Sequence, residues 1–145
     1  MCWKGTRVEY IDEMKSDVVE SFRRVVREWG DAPLCAGEIY RRVINAPQKR
    51  YYISGMQAYK ILARLNKGDT TQIDRMPPYR RQMFFELQAI TRRLSRSRTW
   101  IGQPYYAVCC YAVGCQAPRL YVGVRTVQQI INEHYKIQHA KKRNQ

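Results

Sequence analysis

Between Asp12 and Trp29 the apolar residues Met14, Val18, Val19, Phe22, Val25, Val26 and Trp29 recur three, four or seven positions apart, which predicts an amphipathic helix. Gly30 suits a position just past a helix end, and Asp31, Ala32 and Pro33 read as a turn. Ile39, Tyr40, Val43 and Ile44 predict a shorter helix that stops before Pro47, because proline lacks an N–H and disfavours helix in the residue before it. Tyr51, Tyr52 and Ile53 favour extended backbone. Ser54 with Gln57 three residues later has the form of a capping box, opening a third helix with Ala58, Ile61, Leu62 and Leu65 inward and Asn66, Lys67 and Gly68 closing it.

The polar stretch Asp69 to Met76 reads as a turn, and Pro77 and Pro78 suit the first turn of a helix. Tyr79, Met83, Phe84, Leu87, Ile90 and Leu94 give that helix a long apolar stripe, and Ser95 to Pro104 reads as a loop. Tyr105 to Cys115 is apolar on every side, so periodicity does not choose between strand and helix.

A second occurrence of one pattern favours helix. Ala46-Pro47, Tyr52-Ile53 and Ile61-Leu62 have counterparts in Ala117-Pro118, Tyr121-Val122 and Ile130-Ile131, and Ile39 to Val43 overlays Cys110 to Gly114. The expected architecture is mainly α. About six helices form two tandem, helix-turn-helix-like three-helix units with short extended segments, in a single domain over 1–145. Its internal repeats would be 12–68 and 77–138, followed by a flexible basic tail at 139–145. The nine residues Ala46 to Ser54 exceed the three- or four-residue turn of a helix-turn-helix, so any such unit has a looser connection.

Charge changes the picture more than composition does. The chain carries 26 Lys and Arg against 12 Asp and Glu, a net of +14, with 45% apolar and 12% aromatic residues, too apolar for a disordered basic tail. Residues 1 to 38 hold six basic and eight acidic side chains, net −2, whereas 39 to 145 hold twenty basic and four acidic, net +16. A fold with that much like charge repels itself, so a polyanionic partner is expected of the second part. A solvated basic surface with no such partner is the alternative. No apolar run approaches the roughly 20 residues of a membrane span, the start lacks a secretory apolar stretch, and five cysteines with an adjacent pair make a poor disulfide framework. A cytoplasmic protein without a membrane partner is expected.

Cations lie beside aromatic residues at two expected helix N-termini: Lys49 and Arg50 with Tyr51, and Arg119 with Tyr121. Backbone N–H groups at such a terminus and adjacent guanidinium forks both suit phosphate. The helices that follow carry Gln57, Lys60 and Arg64 in one case and Arg125, Gln128 and Gln129 in the other, side-chain types able to contact base edges in a major groove. Arg92 and Arg93 add phosphate contacts. Simple solvation of the outer helix faces would account for the same residues.

Other chemistries lack their parts. Cys110, Cys115, His134 and His139 have eighteen residues between the pairs where a zinc finger needs about twelve, so no metal site is expected. There is no P-loop, G-x-S-x-G, dinucleotide fingerprint or C-x-x-C, and no catalytic residue, enzyme activity or cofactor is expected.

The pattern of Pro47, Tyr52, Ser54 and Ala58 in a short Arg-rich helical chain resembles small uncharacterised basic proteins of phages and mobile elements of gut Bacteroidota, over residues 12 to 66. The resemblance implies no catalytic residue and a phage or mobile-element context. Non-enzymatic binding of double-stranded DNA is the expected function. An RNA-binding module using tyrosines for stacking, or a structural component with a basic surface, are the alternatives. The acidic first helix is expected to face away from DNA and to serve a homodimer or another protein partner.

Overall fold

The computed structural model describes residues 7–30 and 35–143, with side chains for 10–30 and 35–136. The basic tail and His139 lie outside the described side chains. Seven helices form among the described residues: α1 (Arg7–Trp29), α2 (Ala36–Asn45), α3 (Gly55–Asn66), α4 (Thr71–Asp74), α5 (Pro78–Ser95), α6 (Tyr105–Val113) and α7 (Val124–Arg143). The mainly α architecture is as expected.

The local signals act as their chemistry dictates. The Ser54 hydroxyl accepts from the Gln57 N–H at 3.1 Å and caps α3. Gly68, at φ +86°, supplies the left-handed residue that stops it. Pro77 is the N-cap of α5 and Pro78 its first residue. The apolar run from Tyr105 is helical, with Val108, Cys109, Ala112 and Val113 buried. Two expectations change. α4 adds a helical turn within the stretch read as polar turn, because Asp69 accepts from the Thr71 N–H (3.1 Å) and the Thr70 hydroxyl donates to Asp74 (3.0 Å). Tyr51 to Ile53 forms a connection rather than a strand.

The helices gather into two compact units, each drawing on both halves of the chain. The first holds Lys49–Ala117 and the start of α1 up to Ile11; the second holds Asp12–Gln48 and the chain from Pro118 onward. In the first, α3 packs on α6 and α5, α5 packs on α6, and α4 packs on α3. In the second, α2 packs on α7. These are not the contiguous triplets that a tandem arrangement would build. The Ala46–Ser54 connection is long enough to deliver α3 to α6, where the Tyr51 N–H donates to the Val113 carbonyl at 2.9 Å. In the second unit the Leu120 N–H donates to the Ile44 carbonyl at 2.7 Å.

A constant spacing underlies these bonds. α6 begins at 105 against 36 for α2, and α7 at 124 against 55 for α3, a difference of 69 both times. The same 69 relates Tyr51 to Leu120 and Ile44 to Val113. Held across the connections, it aligns Ala46-Pro47 with Cys115-Gln116 rather than with Ala117-Pro118.

Core packing fixes the first unit. Phe84 and Leu87 of α5, Ala58 and Leu62 of α3, and Cys109 and Ala112 of α6 are fully buried. Polar links add register: the Gln88 side-chain amide donates to Asn66 at 3.0 Å, and the Thr91 and Tyr105 hydroxyls share a hydrogen bond at 2.8 Å. Gly55 allows the closest approach, since a Cβ there would collide with the Cys110 sulfur and lie 3.1 Å from its Cα. Cys110 is disulfide-bonded, while Cys35, Cys109 and Cys115 are free, so the cysteines do not build a disulfide framework among the described residues.

Candidate nucleic-acid interface

The two units dispose of their charge differently. Lys49–Ala117 carries twelve basic and three acidic side chains, net +9. Each of the three carboxylates accepts a local hydrogen bond: Asp69 and Asp74 in the α4 turn, and Glu86 Oε1 from the Gln82 amide at 3.3 Å, while Glu86 Oε2 is buried without a hydrogen-bond partner among the described residues. Hydrogen bonds from Thr71 hold the Asp69 carboxyl below its ordinary value. Lys60, Arg64, Lys67, Arg92, Arg93, Arg96 and Arg98 are exposed, and none reaches a carboxylate at ion-pair distance among the described residues.

Helix periodicity explains the α3 part of this set. Gly55, Ala58, Ile61, Leu62 and Leu65 are buried, so Met56, Lys60, Arg64 and Lys67, spaced four, four and three apart, share the outward face. Arg92 and Arg93 lie in the last turn of α5, where positive charge also complements the helix dipole.

In the second unit the described ion pairs lie on α1 and α2: Arg24 with Glu20 (3.8 Å), and Arg41 (3.9 Å) and Arg42 (3.6 Å) with Glu38. The Arg42 guanidinium also sits 4.0 Å from the Trp29 ring centroid. Arg23 donates to His134 Nε2 at 3.1 Å, and Phe22 meets Tyr135 edge to face at 6.0 Å. Arg125, Gln128 and Gln129 are exposed on α7, and Arg119 is half-buried before it.

Three expected features of the α3 N-terminus are corrected. Tyr51 is buried, 2% exposed, and offers no ring face to a base. Burial, then the charges of Glu86 and Cys115, pushes its hydroxyl up to about 12. Arg50 spends its guanidinium on its own segment, Nε donating to the Tyr51 carbonyl (3.1 Å) and Nη2 to the Ile53 carbonyl (3.2 Å), so it braces the connection. The terminus is no open phosphate cradle either, with Ser54 already on the Gln57 N–H and Gly55 buried against Cys110. Lys49 is exposed and Gln57 half-buried.

Residues that the sequence pattern did not single out lie beyond α5. The Trp100 N–H donates to the Ser97 carbonyl and hydroxyl, the Ile101 N–H donates to the Ser97 carbonyl at 2.9 Å, and the Ser97 hydroxyl donates to the Leu94 carbonyl at 2.6 Å. This compact turn sets Trp100 against Tyr111 of α6, ring centroids 5.0 Å apart and planes at 43°. Tyr111 is 51% exposed. Two arginines leading to an aromatic in Arg96-Ser-Arg-Thr-Trp100 were the available signal; Tyr111 had none, because its helix is apolar all round.

The described residues contain no cluster of three His, Cys, Asp or Glu able to hold a metal, and no helix among them is long and apolar enough to cross a membrane. Burial pushes the Cys109 thiol up to about 12, far from nucleophilic or ligand chemistry at neutral pH. Comparison of the chain with protein-family models, curated proteins and solved structures finds no match.

Proposed function

We propose that this protein is a non-enzymatic nucleic-acid-binding protein whose phosphate-contacting surface is the cationic exterior of the unit built from α3, α5 and α6. One observation carries the reading: seven exposed cations of that unit have no carboxylate within ion-pair distance among the described residues. Unpaired surface cations at this density raise the energy of the isolated fold, and a phosphate chain relieves the repulsion while releasing condensed counterions. Arg92 and Arg93 keep their expected role as phosphate contacts, and Lys60 and Arg64, expected to reach base edges, join them; Arg50 and Tyr51 serve the fold. Arg119, Arg125, Gln128 and Gln129 form a separate candidate patch on the second unit.

The recurrence at 69 residues supports reading the chain as an internal repeat whose third helices, α3 and α7, are exchanged between the units. The phage or mobile-element setting rests on the sequence resemblance alone. A homodimer or another protein partner through the acidic first helix, where Asp12, Glu20 and Glu28 are exposed, is the further part of this proposal.

Anisotropy titrations against duplex DNA, single-stranded DNA and single-stranded RNA at several salt concentrations test the proposal. Affinity falling steeply with salt for at least one probe is expected. No binding to any of the three at low salt overturns it.

A further inference from the structure

We infer that Trp100 and Tyr111, with Arg93, Arg96 and Arg98 around them, form a stacking platform for unpaired bases, so that the partner of this surface is single-stranded nucleic acid. The inference rests on the proposed phosphate-binding role of the same unit. Two observations independent of charge carry it. The aromatic pair is held in place rather than free to collapse, because the Ser97-centred hydrogen bonds fix the backbone at Trp100 and α6 fixes that of Tyr111. About half of Tyr111 nevertheless stays open to solvent, so the pair leaves aromatic surface on which a base can stack.

Cations converge on the same place. Arg93 is close enough to Cys115 to oppose electrostatically the upward shift that burial imposes on its thiol, and the Cys115 thiol donates to the Tyr111 carbonyl at 3.5 Å. That puts the Arg93 charge near the C-terminal end of α6, the helix that carries Tyr111. Arg96 and Arg98 enter the turn that carries Trp100 and are exposed. An aromatic face beside guanidinium groups matches a nucleotide with its base splayed out, ring on ring and phosphate on cation. Duplex DNA keeps its base faces within its own stack and would meet only the cations. The blocked N-terminus of α3 also removes one of the two helix entrances expected to take a duplex phosphate.

The test titrates the full chain into a fluorescein-labelled oligothymidylate of about 20 nucleotides and into a duplex of equal length, a span suited to sites of several nucleotides. Trp100→Ala and Tyr111→Ala are each expected to weaken oligothymidylate binding roughly 5- to 100-fold while leaving duplex affinity and the salt dependence unchanged. Tyr111→Phe, which keeps the ring, should retain affinity, and tryptophan fluorescence quenched by oligothymidylate should lose most of its amplitude in Trp100→Phe. Tyr111 is exposed and Trp100 half-buried, and thermal unfolding of each variant verifies that the fold is kept. Equal loss on both probes, or no loss from either alanine variant, overturns the platform. Wild-type preference for the duplex overturns it while leaving the phosphate-binding role standing. No binding at low salt to oligothymidylate, to the duplex or to single-stranded RNA overturns both.

Discussion

The unit built on α3, α5 and α6 and the unit built on α1, α2 and α7 are both helical and both carry many charges, yet they pair those charges to different extents. In the second, Glu20 and Glu38 take up Arg24, Arg41 and Arg42 along the helices themselves. In the first, the three carboxylates from Lys49 to Ala117 cap or brace their own turns and leave the cations to solvent. The lesson is that net charge alone does not locate a polyanion surface. The better guide to a candidate is exposed cations outside ion-pair reach of a carboxylate, which are denser in the +9 segment than on the ion-paired α1 and α2.

The largest expected effect separates the units by function. Replacing Lys60, Arg64, Arg92 and Arg93 together with Ala should weaken nucleic-acid binding at low salt by on the order of a hundredfold, whereas Arg24→Ala with Arg41→Ala should leave it nearly unchanged. Equal losses, measured by anisotropy, would erase the distinction.

A second contrast concerns packing. Gly55→Ala pushes a Cβ against Cys110 and should cost about 1–3 kcal/mol of stability in denaturant unfolding. Gly37→Ala on α2, whose nearest neighbouring atoms are 3.9 and 4.0 Å from the added carbon, should be neutral or gain up to about 1 kcal/mol through helix propensity. The order of the two transition midpoints checks this.

Alkaline pH probes the buried side of the first unit. Tyr51 titrates near 10 when unfolded and about 12 when folded, so the fold favours its neutral form. That contribution is fully present below about pH 10 and is lost as pH rises through 12. Cys109, raised from 9 to about 12, acts with the same sign. Tyr51→Phe should therefore lose less stability than the wild type between pH 10 and 12, followed by circular dichroism. Smallest of all, Glu38→Gln removes two surface ion pairs of the second unit and should shift its stability by only a few tenths of a kcal/mol at low salt.

Most of the helices were legible because their signals are local: the Val18 to Trp29 stripe, the Ser54 cap, Pro77-Pro78 and the stop at Gly68 each act within a few residues. Grouping was not, because the partner of α3 is decided by Gly55 against Cys110 and by Tyr51 N–H on Val113, contacts between positions more than fifty residues apart. The candidate surface divided the same way. Lys60 and Arg64 followed from helix periodicity. Tyr51 and Arg50 did not, since an aromatic beside a cation looks the same in sequence whether the ring is buried and the guanidinium braces a loop or both face solvent.

The most direct test of the central claim is the slope of log Kd against log salt for a single-stranded oligonucleotide, measured for the wild type and for the variant lacking Lys60, Arg64, Arg92 and Arg93. Removing one cation that neutralises a phosphate should reduce the slope by about 0.7, so a drop of about 3 is predicted if all four cations meet phosphate. An unchanged slope would place the phosphate-binding cations elsewhere and contradict the account.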